Sequence, residues 1–324
     1  MLFQKPSRLR KTASLRNLVR ETRLSVDALI RPIFVIHHNK RLKIESMPGQ
    51  FYFPLDEIQQ TIEKSLKLGI NGVLLFGIPS MKDEFGSDTI NDNGIIQQAV
   101  RKIRQSFPEL IIITDACFCQ YTNHGHCGII NKDGNIDQKS SLIKLQIQAL
   151  SHADSGADFI APSCMLDGMV KYIRKALDKG GYEDKGILSY TAKYASAFYG
   201  PFRDAVDSAP QYGSRKSYQM DPGNIREALK EAQMDVDEGA DIIMVKPALP
   251  YLDVIKEVKK QISCPVAAYQ VSGEYAMIKA VAQNHWMDEN ESMMESLLGI
   301  KRSGADIIIT YFADTAARII NSKS

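Results

Sequence analysis

Lys246 stands where an amine could become a nucleophile. In the run DIIMVKP (241–247) four apolar residues lead straight into lysine and proline. A lysine at the end of a buried strand is desolvated. Desolvation lowers the pKa of an ammonium, and so does a second cation nearby. The neutral amine that results can attack a ketone to give an imine. Lys193 follows the run ILSYT (187–191), the apolar run before it in the chain. Two lysines sharing one pocket repel each other, which helps to keep one of them neutral. The bland alternative for either is a strand-end lysine that snorkels to solvent or pairs with an acid.

A second chemistry lies in CFCQYTNHGHC (117–127). Cys117, Cys119 and Cys127 put three thiolates close together, a set that suits a soft tetrahedral metal, zinc above all. His124 or His126 could complete a closed structural site. Three thiolates with an open fourth position would instead mark a catalytic zinc. Free reduced thiols are the third reading. The chain has five cysteines in all. An odd count, with three crowded together, fits a metal site in a reducing compartment better than a disulfide framework.

Further reactive residues follow other apolar runs. Asp115 ends IIITD (111–115), Ser163 follows DFIAP (158–162), Tyr269 and Ser272 lie at and beyond the end of PVAAYQ (265–270), and Tyr311 falls in DIIITYF (306–312). The stretch 194–223 is rich in Gly, Pro, Ser and aromatic residues and shows no clean periodicity. Loops of that length in compact domains are lids or are disordered, and the aromatic content speaks against disorder. Arg203, Arg215 and Lys216 on such a lid could clamp a carboxylate. Taken singly, each could equally be a solvated surface charge.

The elements that must position these residues are strands. PIFVI (32–36), GVLLF (72–76) and the six runs quoted above, with DIIMVK (241–246) among them, make eight. They are continuously apolar, as parallel strands buried on both faces are. Amphipathic stretches of helix length separate them, among them 57–68, 94–106, 141–155, 224–238, 251–261 and 291–303. GADFI (156–160) and GADII (239–243 and 304–308) each close a helix and open a strand, with LGINGVLL (68–75) a looser echo. A βα unit repeated eight times predicts an α/β fold, a (β/α)8 TIM barrel, with its chemistry at the C-terminal ends of the strands. No GxGxxG follows a strand, so a dinucleotide site has little support.

Residues 1–30 are basic and read as an N-terminal arm, solvated or docked on a neighbouring subunit; 31–324 read as the catalytic domain. The net charge of +2 gives no bulk argument for nucleic acid or membrane. No apolar run approaches the roughly 20 residues of a membrane span, and no secretory signal is evident. The expectation is a cytoplasmic enzyme.

With these residues in view, the chain resembles the porphobilinogen synthases, also called 5-aminolevulinate dehydratases, of the zinc-binding, cysteine-rich type. The likeness runs from RPIFV at 31 to IIITY at 311. It rests on DACFCQYTNHGHCG, APSCMLDG, YTAKYASAFYGPFRDA, MVKPALPYLD, YQVSGEYAM and IIITY. It implies a lyase of tetrapyrrole (heme) biosynthesis that condenses two molecules of 5-aminolevulinate to porphobilinogen with loss of two waters. It implies that Lys246 forms a Schiff base with the substrate that becomes the propionate side, and that Lys193 holds the other. It further implies catalytic zinc on Cys117, Cys119 and Cys127. Arg203, Arg215 and Gln219 would grip one carboxylate and Ser272 and Tyr311 the other. Asp115 and Ser163 would line the site near the substrate amine, with Tyr269 a further contact. Glu231 matches a position that binds an activating magnesium between subunits in some bacterial members. A homo-octamer built through the arm is implied as well. Two positions depart from the pattern. Cys164 stands where the family has an acid, and Ser217 stands where many relatives have a cysteine, which disfavours a second zinc. Competing readings are another Schiff-base barrel, such as a class I aldolase, and a catalytically dead barrel kept as a binding module.

Overall fold

Residues 4–322 are described by the structure, a computed structural model. The first three residues of the expected arm and the last two of the expected catalytic domain lie outside them. Ten strands follow one another along the chain: β1 (Leu29–Ile36), β2 (Leu42–Lys43), β3 (Phe51–Pro54), β4 (Gly72–Ile78), β5 (Ile111–Ala116), β6 (Phe159–Pro162), β7 (Gly186–Lys193), β8 (Ile242–Lys246), β9 (Val266–Gln270) and β10 (Ile307–Thr310). β1 and β4 through β10 pair in parallel, and β10 pairs back onto β1, so eight strands close a barrel. These are the eight apolar runs. Apart from strand-end residues such as Ile111 and Ile307, their Val and Ile side chains are buried, because the lumen covers one face and a ring of helices the other.

β2 and β3 are an addition to the expected pattern. β3 joins the C-terminal half of β1 in parallel, Phe34 opposite Tyr52, and β2 folds back antiparallel on β3. Two and four residues are too few for a periodicity to register.

The recurrent GAD phrase has a physical basis. Gly156, Gly239 and Gly304 have φ of 105°, 105° and 116°, the left-handed turn that ends a helix. The aspartate two residues on caps the neighbouring strand. Asp158 accepts from the Ile112 amide at 2.8 Å, Asp241 from Ile187 at 2.7 Å and Asp306 from Val266 at 2.8 Å. Each unit thus ends its helix and stitches its strand to the one before with three residues.

The segment 194–223 is ordered locally. Ala197–Tyr199 and Arg215–Ser217 are 3-10 turns, and Gly200–Ala205 is a short helix. Its two ends meet: the Ala195 amide donates to Met220 and the Met220 amide to Lys193, at 2.8 and 3.1 Å. At the N-terminus, Pro6–Arg10 and Ala13–Leu18 bury no side chain. Among the described residues no helix is long and apolar enough to cross a membrane.

Candidate active site

The two lysines end adjacent strands in register, Lys193 of β7 opposite Lys246 of β8. Partners in a parallel pair share a face, and here that face is the barrel lumen. A β-bulge between Ser189 and Ala192 makes this possible. Ser189 and Thr191 point outward, and both hydroxyls donate to Asp235 of the surrounding helix Arg226–Asp237 at 2.7 Å. Tyr190 and Lys193, three residues apart, would face opposite ways in a regular strand. The bulge turns both inward: the Tyr190 ring lies 5.6 Å from Lys193 Nζ and 4.8 Å from Lys246 Nζ.

Burial first, and the Lys193 charge second, pull Lys246 down to about 7. Lys193 goes the other way. Burial opposes its charge, but the nearby thiol group, Cys127 foremost, outweighs burial and raises it. Its ammonium donates to the Ser163 carbonyl. Burial pushes the Asp115 carboxyl up, against the pull of both lysines. Asp115, Ser163, Lys193, Lys246, Arg215, Cys119 and Gln120 line one cavity closed off by Phe76, Tyr199 and Phe202. Only about 20 Å³ of it is free, room for one water.

The three thiols converge. All three Sγ atoms of Cys117, Cys119 and Cys127 are buried and lie within 4.8 Å of one another, Cys117 and Cys119 at 3.5 Å. Tetrahedral zinc thiolates stand roughly 3.8 Å apart, given a Zn–S bond of about 2.3 Å, so the set fits that metal. Hydrogen bonds from Cys117 and Cys119 hold the Cys127 thiol well below its usual range. Both histidines are engaged elsewhere. His124 Nε2 meets the Glu84 carbonyl at 3.1 Å, and His124 Nδ1 accepts from the His126 amide. His126 bonds Tyr218 Oη and the Tyr212 carbonyl. Among the described residues only the three cysteines form a group able to hold a metal. Cys164 is buried beside Cys117 but outside that group.

Arg203, Arg215 and Gln219 share a second cavity, formed by residues of the lid itself. Arg215 lines both cavities and is anchored at one end, its Nη2 donating to Gly125 at 2.7 Å and Ser208 at 2.5 Å. The Nε of both arginines and both amide atoms of Gln219 are buried without partners. Donors left this way suit a carboxylate. Ser272 and Tyr311 do not line the lysine cavity. Ser272 Oγ accepts from the Phe202 amide of the lid at 2.9 Å, and Tyr311 accepts from Tyr269 at 2.9 Å. Glu231 lies in a cleft with Asp167, Glu227, Asp235 and Glu238, and burial followed by repulsion from Asp235 pushes it up to about 7. Tyr190, Tyr199, Phe202 and Gln120 were not legible as site residues. Tyr190, in an apolar run, reads as core, and the bulge that turns it beside Lys193 leaves no mark in the sequence; Tyr199 and Phe202 read only as the aromatic content of the lid.

Fold and site define a barrel enzyme with a lysine pair and a thiol triad at the C-terminal mouth of its strands. Comparison with known proteins narrows this further. The family model for delta-aminolevulinic acid dehydratase matches residues 3–319, and the chain belongs to that family of lyases. Delta-aminolevulinic acid dehydratase of Archaeoglobus fulgidus is 54% identical over 311 residues, 96% of each chain. That of Halalkalibacterium halodurans is 50% identical over 324 residues, all of this chain and 98% of the relative. The Toxoplasma gondii enzyme, solved with its product porphobilinogen, superposes with a TM-score of 0.97 at 38% identity, covering 100% of this chain and 93% of that one.

Proposed function

We propose that this chain condenses two molecules of 5-aminolevulinate to porphobilinogen with loss of two waters, through lysine imines at Lys246 and Lys193. One observation carries the reading. In a chain of the dehydratase family, two lysines meet in register at the barrel mouth, and burial pulls one of them to about 7 in a cavity that Cys119 of the buried thiol triad also lines.

Lys246, neutral near pH 7, attacks the ketone of the substrate that becomes the propionate side. Lys193 stays charged until the second substrate displaces its contacts, and then binds that ketone. Arg203, Arg215 and Gln219 hold the second carboxylate. Ser272 and Tyr311 hold the first, the Ser272 hydroxyl turning its proton from the Phe198 carbonyl to that carboxylate while it still accepts from the Phe202 amide. Asp115 and Ser163 face the substrate amine, and Tyr269 closes the far wall. Cys117, Cys119 and Cys127 would hold zinc, which supplies a Lewis acid for the second substrate's carbonyl or a ligand for its amine. Fixing two anionic tails brings two small molecules into one orientation, which turns a bimolecular condensation into a positioned one. Glu231 would carry an activating magnesium, and the arm would build a homo-octamer of a cytoplasmic enzyme. A sugar-phosphate aldolase is not favoured, since the relatives carry the dehydratase name.

A turnover assay with 5-aminolevulinate, with metal content measured on the same sample, tests the reading. Porphobilinogen forms, and borohydride traps a reduced adduct on Lys246. No adduct at Lys246 would sink the imine assignment. Full activity after chelation of all zinc would sink the metal assignment.

A further inference from the structure

Lys246 Nζ is boxed by ring faces. It lies over Tyr269 at 4.4 Å, Tyr190 at 4.8 Å, Phe202 at 5.3 Å and Tyr199 at 5.4 Å from the centroids. All four are within the ~6 Å at which an aromatic face attracts a cation. Lys193, one strand away, has among the described residues only the Tyr190 ring, at 5.6 Å.

The faces are held in place. Tyr199 Oη donates to the Lys246 carbonyl at 3.0 Å, and Tyr269 Oη to Tyr311 at 2.9 Å. Phe202 is pinned by its amide on Ser272 and packs on Phe76 and Phe34 at 5.2 and 5.9 Å. Tyr190 and Tyr269 belong to β7 and β9, whereas Tyr199 and Phe202 arrive with the lid.

Such a box treats two states of the nitrogen differently. A neutral amine gains little from a ring face. A protonated imine is delocalised and weakly hydrated, so in a dry pocket it gains much. Burial therefore favours the amine before reaction, and the rings favour the cation that reaction makes. We propose that the four rings form an electrostatic cage that stabilises the protonated imine on Lys246, and that Phe202 completes the cage when the lid closes. This rests on Lys246 being the imine-forming lysine. In that step the Nζ lone pair bonds the ketone carbon and the carbon–oxygen bond breaks. The oxygen leaves as water with one proton from Nζ and one from solvent. Nζ keeps one proton and the positive charge. The cage also accounts for Ser272 in this closed form, where its hydroxyl positions Phe202.

Replacing Phe202 by mono-, di- and trifluorophenylalanine tests the cage, because shape is nearly kept while the ring face loses negative potential. Imine formation with 5-aminolevulinate is read as borohydride-reduced adduct on the Lys246 peptide against ligand concentration. The assay is run at about pH 9, above the value near 7 to which burial pulls Lys246, so that the amine starts neutral. The formation constant is expected to fall stepwise, roughly three- to tenfold across the series. An adduct on Lys246 with a constant unchanged across the series overturns the cage and leaves the imine assignment standing. No adduct in the unsubstituted protein overturns both.

Discussion

A lysine that attacks a ketone has to lose a proton first, and Lys246 loses it cheaply for two reasons that can be separated. Burial is the larger and the Lys193 charge the second. The rate of imine formation should therefore rise with pH through about 7 and level off above it. In Lys193→Met the second cause is gone, and the midpoint moves up by on the order of one unit. Borohydride trapping on Lys246 with a 4-oxo acid, measured against pH, checks this without needing turnover; an unmoved midpoint would show that Lys193 does not act on Lys246. The thiol triad makes its own prediction. Cys127 carries the depressed thiol and is tied to both neighbours. Cys127→Ala should leave the protein folded and bring bound zinc from about one equivalent to nearly none, as two thiolates and water make a far weaker site. Elemental analysis after dialysis against a weak chelator reads it. The lysines and the triad were legible because each chemistry needs a rare residue type at a strand end. Of the aromatic box only Tyr269 was, at its strand end; Tyr190 reads as an ordinary core residue until the bulge aims it, and Tyr199 and Phe202 are aimed by the lid.

The element that sets the lysine register is β7 with its bulge, held from outside by one carboxylate. Asp235 takes both the Ser189 and the Thr191 hydroxyl, and burial pushes it from 3.8 up to about 6. A raised carboxyl binds more protons folded than unfolded. Stability from this group is therefore full below about pH 4 and declines as pH rises to 6. Asp235→Asn removes that decline. The variant gains on the parent by up to about 3 kcal/mol between pH 4 and 7, less whatever the amide loses in accepting from two hydroxyls. Urea melts at both pH values measure the difference, and a gap that does not widen with pH would refute this account of Asp235. Strand positions and most helix positions were plain in the sequence, since a buried parallel strand cannot hide its apolar run. The GAD phrase even marked the joints. What stayed hidden were the short pieces, β2, β3 and the turns of the lid, whose order comes from side chains distant in sequence such as Ser272 and Tyr275. Tyr275 Oη reaches the Pro48 carbonyl at 2.6 Å and so ties the helix Ser272–Gln283 to the β2–β3 connection.

On the scale of the whole molecule, the barrel takes in the end of the expected arm, where Val26, Leu29 and Ile30 are buried and Leu29 and Ile30 pair with β10, but it packs on nothing from the helix before them. The helix Ala13–Leu18 buries none of its side chains, and Leu9, Leu18 and Val19 are 53%, 76% and 44% exposed. A chain gains no stability from ordering such a segment against solvent, because entropy is spent with no apolar area removed from water in return. The same residues laid on a second copy would remove it. Only the basic composition of this stretch was legible, since a surface that meets another subunit carries no internal periodicity to show which face it meets. Deleting residues 1–25 should therefore leave the barrel's unfolding midpoint within a few degrees of the parent while the assembly falls to a smaller species. Light scattering coupled to size exclusion measures the mass, and far-ultraviolet dichroism checks that the barrel stays folded. A truncated chain that keeps the parent's mass would remove the arm from the assembly. A truncated chain that unfolds would show the arm to be part of the barrel's own stability, contrary to its exposure here.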